Sequence, residues 1–163
     1  MTDRPQQPLN AGASQSTEQP LMSAESAHRV TGLLRQAGLR PTRQRLELGC
    51  LLFTGNHRHL TAESLHDDAR ASGISVSVAT VYNTLHQFTE AGLLREFVVD
   101  GTKTYFDTNT SDHHHFYNEK DGAVWDVPAG VEIVGPLEAP PGMRIVRVDL
   151  VVRVAPDHSY RRR

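Results

Sequence analysis

With 163 residues the chain holds one ordinary domain or two small ones, and its formal charge of -2 hides an uneven distribution. Residues 29–58 carry six arginines (Arg29, Arg35, Arg40, Arg43, Arg45 and Arg58) against Glu47 alone, a local balance of +5, whereas residues 97–163 carry eight basic and ten acidic side chains. A single cysteine, Cys50, excludes an intrachain disulfide and any zinc site built on two thiolates, and no signal peptide or bilayer-length apolar run is present, so a cytoplasmic protein with no membrane partner is expected.

Residues 1–22 hold Pro5, Pro8, Gly12 and Pro20 among Gln, Ser and Asn, too little apolar surface to order themselves, and read as a flexible tail. A first helix is expected from Ser23 or Ser26 to Ala37, with Val30, Leu33, Leu34 and Ala37 on one face and Gly38 as its stop. Pro41 breaks the chain and Thr42 caps a second helix through Phe53, whose apolar run makes Cys50 a buried small hydrophobe. Thr61 caps a third helix that ends near Gly73, with Leu60 and Leu65 spaced as a hydrophobic staple. In the fourth helix Val78, Val81, Tyr82, Leu85 and Phe88 recur at helical spacing between Ser77 and Gly92. A strand-like run Leu93–Val99, the turn pair Asp100-Gly101 and a return over Lys103–Phe106 form a hairpin. Three helices and a hairpin in this order make a winged helix-turn-helix, with the first helix as an addition.

Beyond residue 107 the pattern changes. His115–Asn118 and Ala123–Val127 read as strands around the turn Glu119–Gly122, and the Pro/Gly-rich stretch Val127–Gly142 argues against a long helix. Arg144–Val154 is rich in β-branched residues and reads as a strand that a second subunit covers. The expected fold is therefore α+β: tail 1–22, winged-helix DNA-binding domain 23–107, a small α/β or β-rich dimerisation and ligand-sensing domain 108–157, and a basic tail 158–163.

The fourth helix is the candidate reader of double-stranded DNA. Ser75, Ser77 and Thr80 in its first turns are small enough for close approach to a groove, and Tyr82 and Asn83 follow; Tyr82 either contacts DNA or packs in the core. Arg40, Arg43 and Arg45 at the entry to the second helix are placed to hold phosphates or reach a minor groove. The run His113-His114-His115 is either a polar loop or a ligand site. On a strand His113 and His115 share one face and can meet one metal, with His57, His59 and Asp107 as further donors from the head. Such sulfur-free ligation favours Fe(II), Mn(II) or Zn(II); haem on one or two of these imidazoles is the other option. No His-Glu-x-x-His, phosphate loop, Gly-x-Ser-x-Gly or nucleophile–base pair is present, so an enzyme is not expected.

Gly38-Leu39-Arg40-Pro41-Thr42-Arg43-Gln44-Arg45, His59-Leu60-Thr61-Ala62-Glu63, Ala79-Thr80-Val81-Tyr82-Asn83-Thr84-Leu85 and Gln87-Phe88-x-x-Ala91-Gly92-Leu93 resemble the ferric uptake regulator superfamily over residues 25–127. The resemblance implies a homodimeric, metal-responsive regulator that binds an A·T-rich inverted repeat, with Thr80 and Tyr82 on the operator, Arg40 supplementing them, and His59, Asp107, His113 and His115 as metal ligands. Asn118 and Asp121 stand where most relatives carry a zinc-binding C-x-x-C, so that structural zinc site is absent, and Asn83 replaces the usual arginine after the recognition tyrosine. The three-histidine run and the missing cysteines resemble most the iron response regulator branch, which implies a repressor of iron and haem genes that haem binding at His113, His114 and His115 relieves. A manganese-, zinc- or peroxide-sensing sister is the alternative. In another class stands a metal or haem carrier that uses the head to bind proteins.

Overall fold

The computed structural model describes residues 23–99, 101, 103–128, 131 and 134–156; the two expected tails, Asp100 of the wing turn and Thr102 lie outside the described residues. These residues form four helices and two three-stranded sheets, the α+β class expected.

Side-chain caps begin each helix. Ser23 accepts the Ser26 amide ahead of α1 (Ala24–Gln36), and Thr42 accepts the Arg45 amide ahead of α2 (Arg43–Phe53). In the first turn of α3 (Ala62–Ala71) Thr61 and Ser64 close a reciprocal capping box. Leu60 and Leu65, the residues spaced as a staple, are both buried in the same core. Ser77 accepts the Thr80 amide ahead of α4 (Val78–Glu90), whose Val81, Leu85 and Phe88 are fully buried while Val78, the first member of the apolar series, is exposed. The helices enclose one core with Val30, Leu34, Leu48, Leu52, Leu65 and Phe106 at its centre, and Cys50 belongs to it. Burial raises the Cys50 thiol above its ordinary value, which keeps it un-ionised and inert.

The two sheets link the helical head to the C-terminal lobe. Strand β1 (His59–Leu60), a two-residue element that periodicity cannot show, pairs antiparallel with β3 (Thr104–Asp107), and β3 pairs antiparallel with β2 (Arg95–Val98). In the second sheet β4 (His115–Asn118) lies between β5 (Val124–Asp126) and β6 (Val151–Val154), antiparallel to the first and parallel to the second. A second small cluster of Phe97, Tyr105 and Tyr117 seats one sheet on the other.

The β6 strand is shorter than the expected Arg144–Val154. Side chains draw its first half elsewhere: the Arg147 guanidinium donates to the Glu96 carbonyl at 2.8 Å, and Asp149 accepts from Arg95 at 3.1 Å. Those contacts tether the segment to the wing strand without a backbone ladder, and Val146 and Ile145 remain exposed. Among the described residues of 127–150 there is no helix, as the Pro/Gly content requires. At the tip of the β4–β5 hairpin, Asn118 Oδ1 accepts the Lys120 amide and Asp121 Oδ1 the Ala123 amide. Two side-chain-closed turns therefore form this tip, one on Asn118 and one on Asp121.

Candidate metal centre and nucleic-acid interface

Strand register assembles the centre. His59 and Asp107 are opposite one another across β1 and β3, and His115 and Asp126 are opposite across β4 and β5. The ends of the two sheets meet, and His113, in the connection that leads into β4, turns inward between the pairs. His59 Nε2, Asp107, His113, His115 and Asp126 each offer one ligand atom, and these atoms lie within 4.8 Å of one another. Individual separations are 2.8 Å for His113 Nε2 to Asp107 Oδ2, 2.9 Å for His59 Nε2 to Asp126 Oδ1 and 3.3 Å for His115 Nε2 to Asp107 Oδ2.

This donor set fits a divalent cation. His59 Nε2 and His113 Nε2 are buried and make no hydrogen bond of acceptable angle despite the nearby carboxylate oxygens. Buried polar atoms left so are costly unless another partner satisfies them. His113 Nδ1 meets the Ser111 carbonyl at 2.9 Å and donates to it in the tautomer that leaves the Nε2 lone pair facing the cluster. His115 is held by its ring, stacked on Phe97 at 4.0 Å between centroids and 11° between planes. For Asp107, burial alone would raise the pKa. The His115 hydrogen bond, the adjacent His59 ring and the hydrogen bond from the Asn109 amide together outweigh burial and hold the carboxyl well below the usual carboxylate range, so it stands ionised as a ligand must.

All four expected metal ligands are thus brought together, and Asp126 is the fifth, absent from the sequence reading. Hairpin arithmetic could have found it, because a four-residue turn over 119–122 places residue 126 opposite residue 115. The histidine run divides. The Nε2 atoms of His113 and His115 share the metal cluster, while His114 lines a cleft of about 460 Å³ that His113 also borders, with Ser111, Val127, Pro128 and Val131, its Nδ1 buried without a hydrogen-bond partner. His57 stays outside the cluster, its Nδ1 3.5 Å from Thr108 Oγ1.

On the opposite side of the head the outer face of α4 carries exposed Asn83 beside partly buried Thr80 and Tyr82. The hydroxyls of Ser77 and Thr80 lie 2.9 Å apart and serve the helix cap. Tyr82 donates to Glu63 Oε1 at 2.8 Å, which raises its pKa and, with the stronger effect of Glu63's own backbone amide, lowers that of Glu63. Its ring packs at the margin of the core, as the packing reading of Tyr82 expects. Arg45 spends its guanidinium internally, donating Nε and Nη2 to Gln87 Oε1 and Nη1 to the Arg40 carbonyl. It staples α2 to α4 beneath a polar cleft of about 300 Å³ that Thr42, Gln44, Asn83 and Gln87 also line. Arg40 and Arg43 are exposed on the same side, Arg43 paired with Glu47 at 2.8 Å. No helix of the described residues is long and apolar enough to cross a membrane.

Comparison with known proteins agrees with this architecture. The peroxide-responsive repressor PerR of Staphylococcus aureus (strain Mu50) is 36% identical over 93 residues, a match that spans 57% of this chain and 62% of the repressor's length. The structure of the ferric uptake regulator from Pseudomonas aeruginosa with manganese is similar with a TM-score of 0.58 and 27% identity, over 78% of this chain and 97% of that one. The Vibrio cholerae ferric uptake regulator, 22% identical, shares the fold with a TM-score of 0.61 over 77% of this chain and 98% of that one. The model of the ferric uptake regulator family matches residues 36–139, well over half of the sequence, and the chain belongs to that family.

Proposed function

We propose that this chain is a homodimeric DNA-binding transcription repressor whose operator affinity is set by a divalent metal at His59, Asp107, His113, His115 and Asp126, and that haem supplies a second input. The observation that carries this reading is the convergence of three imidazoles and two carboxylates from both sheets in a chain of the ferric uptake regulator family. A bound Fe(II) or Mn(II) supplies the charge that three neutral imidazoles and two carboxylates are arranged to satisfy, and the sulfur-free set suits either ion. Manganese in the Pseudomonas aeruginosa structure supports that choice.

The protein residues perform the coupling. His59 and Asp107 belong to the head (residues 23–107), and His113, His115 and Asp126 to the sensing lobe (residues 108–157). The ligand set therefore joins the two parts and favours one arrangement of the DNA-binding faces in a dimer. A tenfold change in operator affinity needs about 1.4 kcal/mol of differential binding. Exposed Trp125, Val134, Leu137, Met143 and Val146 support burial against a second copy. On DNA, Arg40 and Arg43 hold phosphates, Arg45 fixes the angle of α4, and Thr80, Tyr82 and Asn83, behind the Ser77 cap, face the groove of an A·T-rich inverted repeat. The regulated genes are those of iron and haem metabolism, on the resemblance to the iron response regulator branch.

Haem binds through His114, since His113 and His115 are committed to the metal. Titration of the manganese-loaded protein with haem, followed by its Soret band and by an operator-DNA shift assay, tests this. Haem shifts the band and releases wild-type protein, and neither effect occurs in H114A. Release of H114A by haem would overturn the assignment. Likeness to the peroxide-responsive repressor favours a second reading, regulation by peroxide through the same metal centre. Its mark is loss of DNA binding on peroxide treatment of the iron-loaded protein with no haem response.

A further inference from the structure

The connection between the two sheets contains a residue that bonds both carboxylates of the metal centre. The Asn109 backbone amide donates to Asp107 Oδ1 at 2.7 Å, and its side-chain Nδ2 donates to Asp126 Oδ2 at 3.2 Å. Asn109 Oδ1 accepts from both the amide and the hydroxyl of Ser111, at 3.2 and 2.6 Å. The Ser111 carbonyl in turn receives His113 Nδ1. A backbone N–H can only donate, so the Ser111 amide requires the amide oxygen of Asn109 on its side and sends the NH2 group toward Asp126.

The consequence is a choice of oxygens. In each carboxylate the atom bonded to Asn109 is the one turned away from the cluster, Asp107 Oδ1 and Asp126 Oδ2. The atoms facing the histidines are Asp107 Oδ2 and Asp126 Oδ1. Asp107 is fully buried and further fixed by its neighbours, but the Asp126 side chain is 40% exposed, and Asn109 is the contact that holds its outer oxygen. With Asn109 present the two carboxylates offer one oxygen each, and the set has five donors. Without it, Asp126 is free to rotate and offer both oxygens.

The geometry points to Asn109 as a positioning residue that sets metal preference at this centre, an inference that rests on the metal-binding reading above. With one oxygen from each carboxylate the set offers two oxygens beside three imidazole nitrogens, and each added carboxylate oxygen moves it further toward the oxygen-preferring, higher-coordinate Mn(II) and away from Zn(II), which takes few ligands. Partners that orient ligands commonly change metal affinity by about 10–100-fold when removed. Asn109 thus limits the number of oxygens the centre offers, and loosening it moves preference further toward manganese over zinc.

The test measures Zn(II) and Mn(II) affinities of the full-length chain by chelator competition, for wild type, N109A and N109D, with the metal-free unfolding midpoint of each. N109D keeps an acceptor for Ser111 and replaces the donor to Asp126 by a repelling carboxylate, so it too releases Asp126 and remains informative if N109A folds poorly. The ratio of Zn(II) to Mn(II) affinity falls about tenfold or more in both variants. A ratio within about twofold of wild type, even with a lowered midpoint, overturns the positioning role and leaves the metal site intact. Failure of wild type to bind either ion overturns the metal-binding reading itself.

Discussion

Arg95 is the joint between the wing strand, the connection carrying the histidines and the segment leading to β6, and its removal has a calculable cost. Its side chain is only 9% exposed, lies in β2 opposite Asp107, and donates Nη2 to Asp149 Oδ1 at 3.1 Å and Nη1 to the Ser111 carbonyl, with Asp112 3.4 Å away. Stripping one partner from a fully buried ion pair costs about 3–5 kcal/mol. Here Asp112 is 93% exposed and stays hydrated, and Asp149 keeps Arg147 at 2.6 Å. The buried loss is confined to the Ser111 carbonyl, one shielded charge interaction and the packing of the arginine stem. Solvent screening of the exposed partner lowers the expectation for Arg95→Ala to about 2 kcal/mol. Urea unfolding of metal-free protein reads this as a midpoint shift of about 1 M at an unchanged slope. Arg95→Lys recovers less than half, because one ammonium cannot serve Asp149 and Ser111 in the geometry of a guanidinium fork. A loss below about 0.5 kcal/mol, or full recovery by lysine, would refute the reasoning.

Two further outcomes concern contacts elsewhere in the head. A Cβ added at Gly49 would lie 2.7 Å from Val30 Cγ1, a fully buried side chain of α1. Overpacking of about 1–3 kcal/mol then exceeds the gain of about 1 kcal/mol in helix propensity, so Gly49→Ala lowers the thermal midpoint, and a double-mutant cycle with Val30→Ala shows favourable coupling. A raised midpoint in the single variant would show that the helices separate freely. Tyr82 ionises above the ordinary tyrosine value of about 10 because its hydroxyl is bound by Glu63. The raised pKa means that the contribution of this hydrogen bond is complete below that ordinary value and is lost as pH rises through the folded-state pKa. Ultraviolet difference titration of wild type against Y82F isolates the transition, which returns toward the ordinary value in E63A. An unchanged midpoint in E63A would remove Glu63 as the cause.

The helical half of the fold was legible because its signals are local. Ser23, Thr42, Thr61 and Ser77 each cap the helix whose start they mark, and the spacing of Val81, Leu85 and Phe88 reports the buried face directly. What escaped depends on contacts distant in sequence. The β1 strand exists only because His59-Leu60 finds Asp107 and Phe106 across the sheet, and a two-residue element has no period to read. The first half of the expected last strand is diverted by Arg147 and Asp149 toward β2, a competition between side-chain and backbone bonding that β propensity does not express. In the centre, His59, Asp107, His113 and His115 were legible from residue type and family resemblance. Asp126 and Asn109 were not: one enters through register, the other through its bonds to atoms that are themselves placed by register. The division of the histidine run likewise depends on which way each ring turns, which alternation alone leaves open once His113 lies outside the strand.

The central claim is that one ligand set spanning both parts of the chain controls DNA binding. Its most direct test is a fluorescence-anisotropy titration of an A·T-rich inverted-repeat duplex with the full-length protein, loaded with Mn(II) or stripped by chelator, for wild type and Asp126→Ala. Loaded wild type binds about tenfold or more tightly than stripped wild type, and Asp126→Ala, which lacks a ligand remote from the DNA-facing helix, loses that difference while retaining the affinity of the stripped state. Equal affinities for the loaded and stripped wild-type protein, under conditions where Mn(II) binding is verified, would contradict the account.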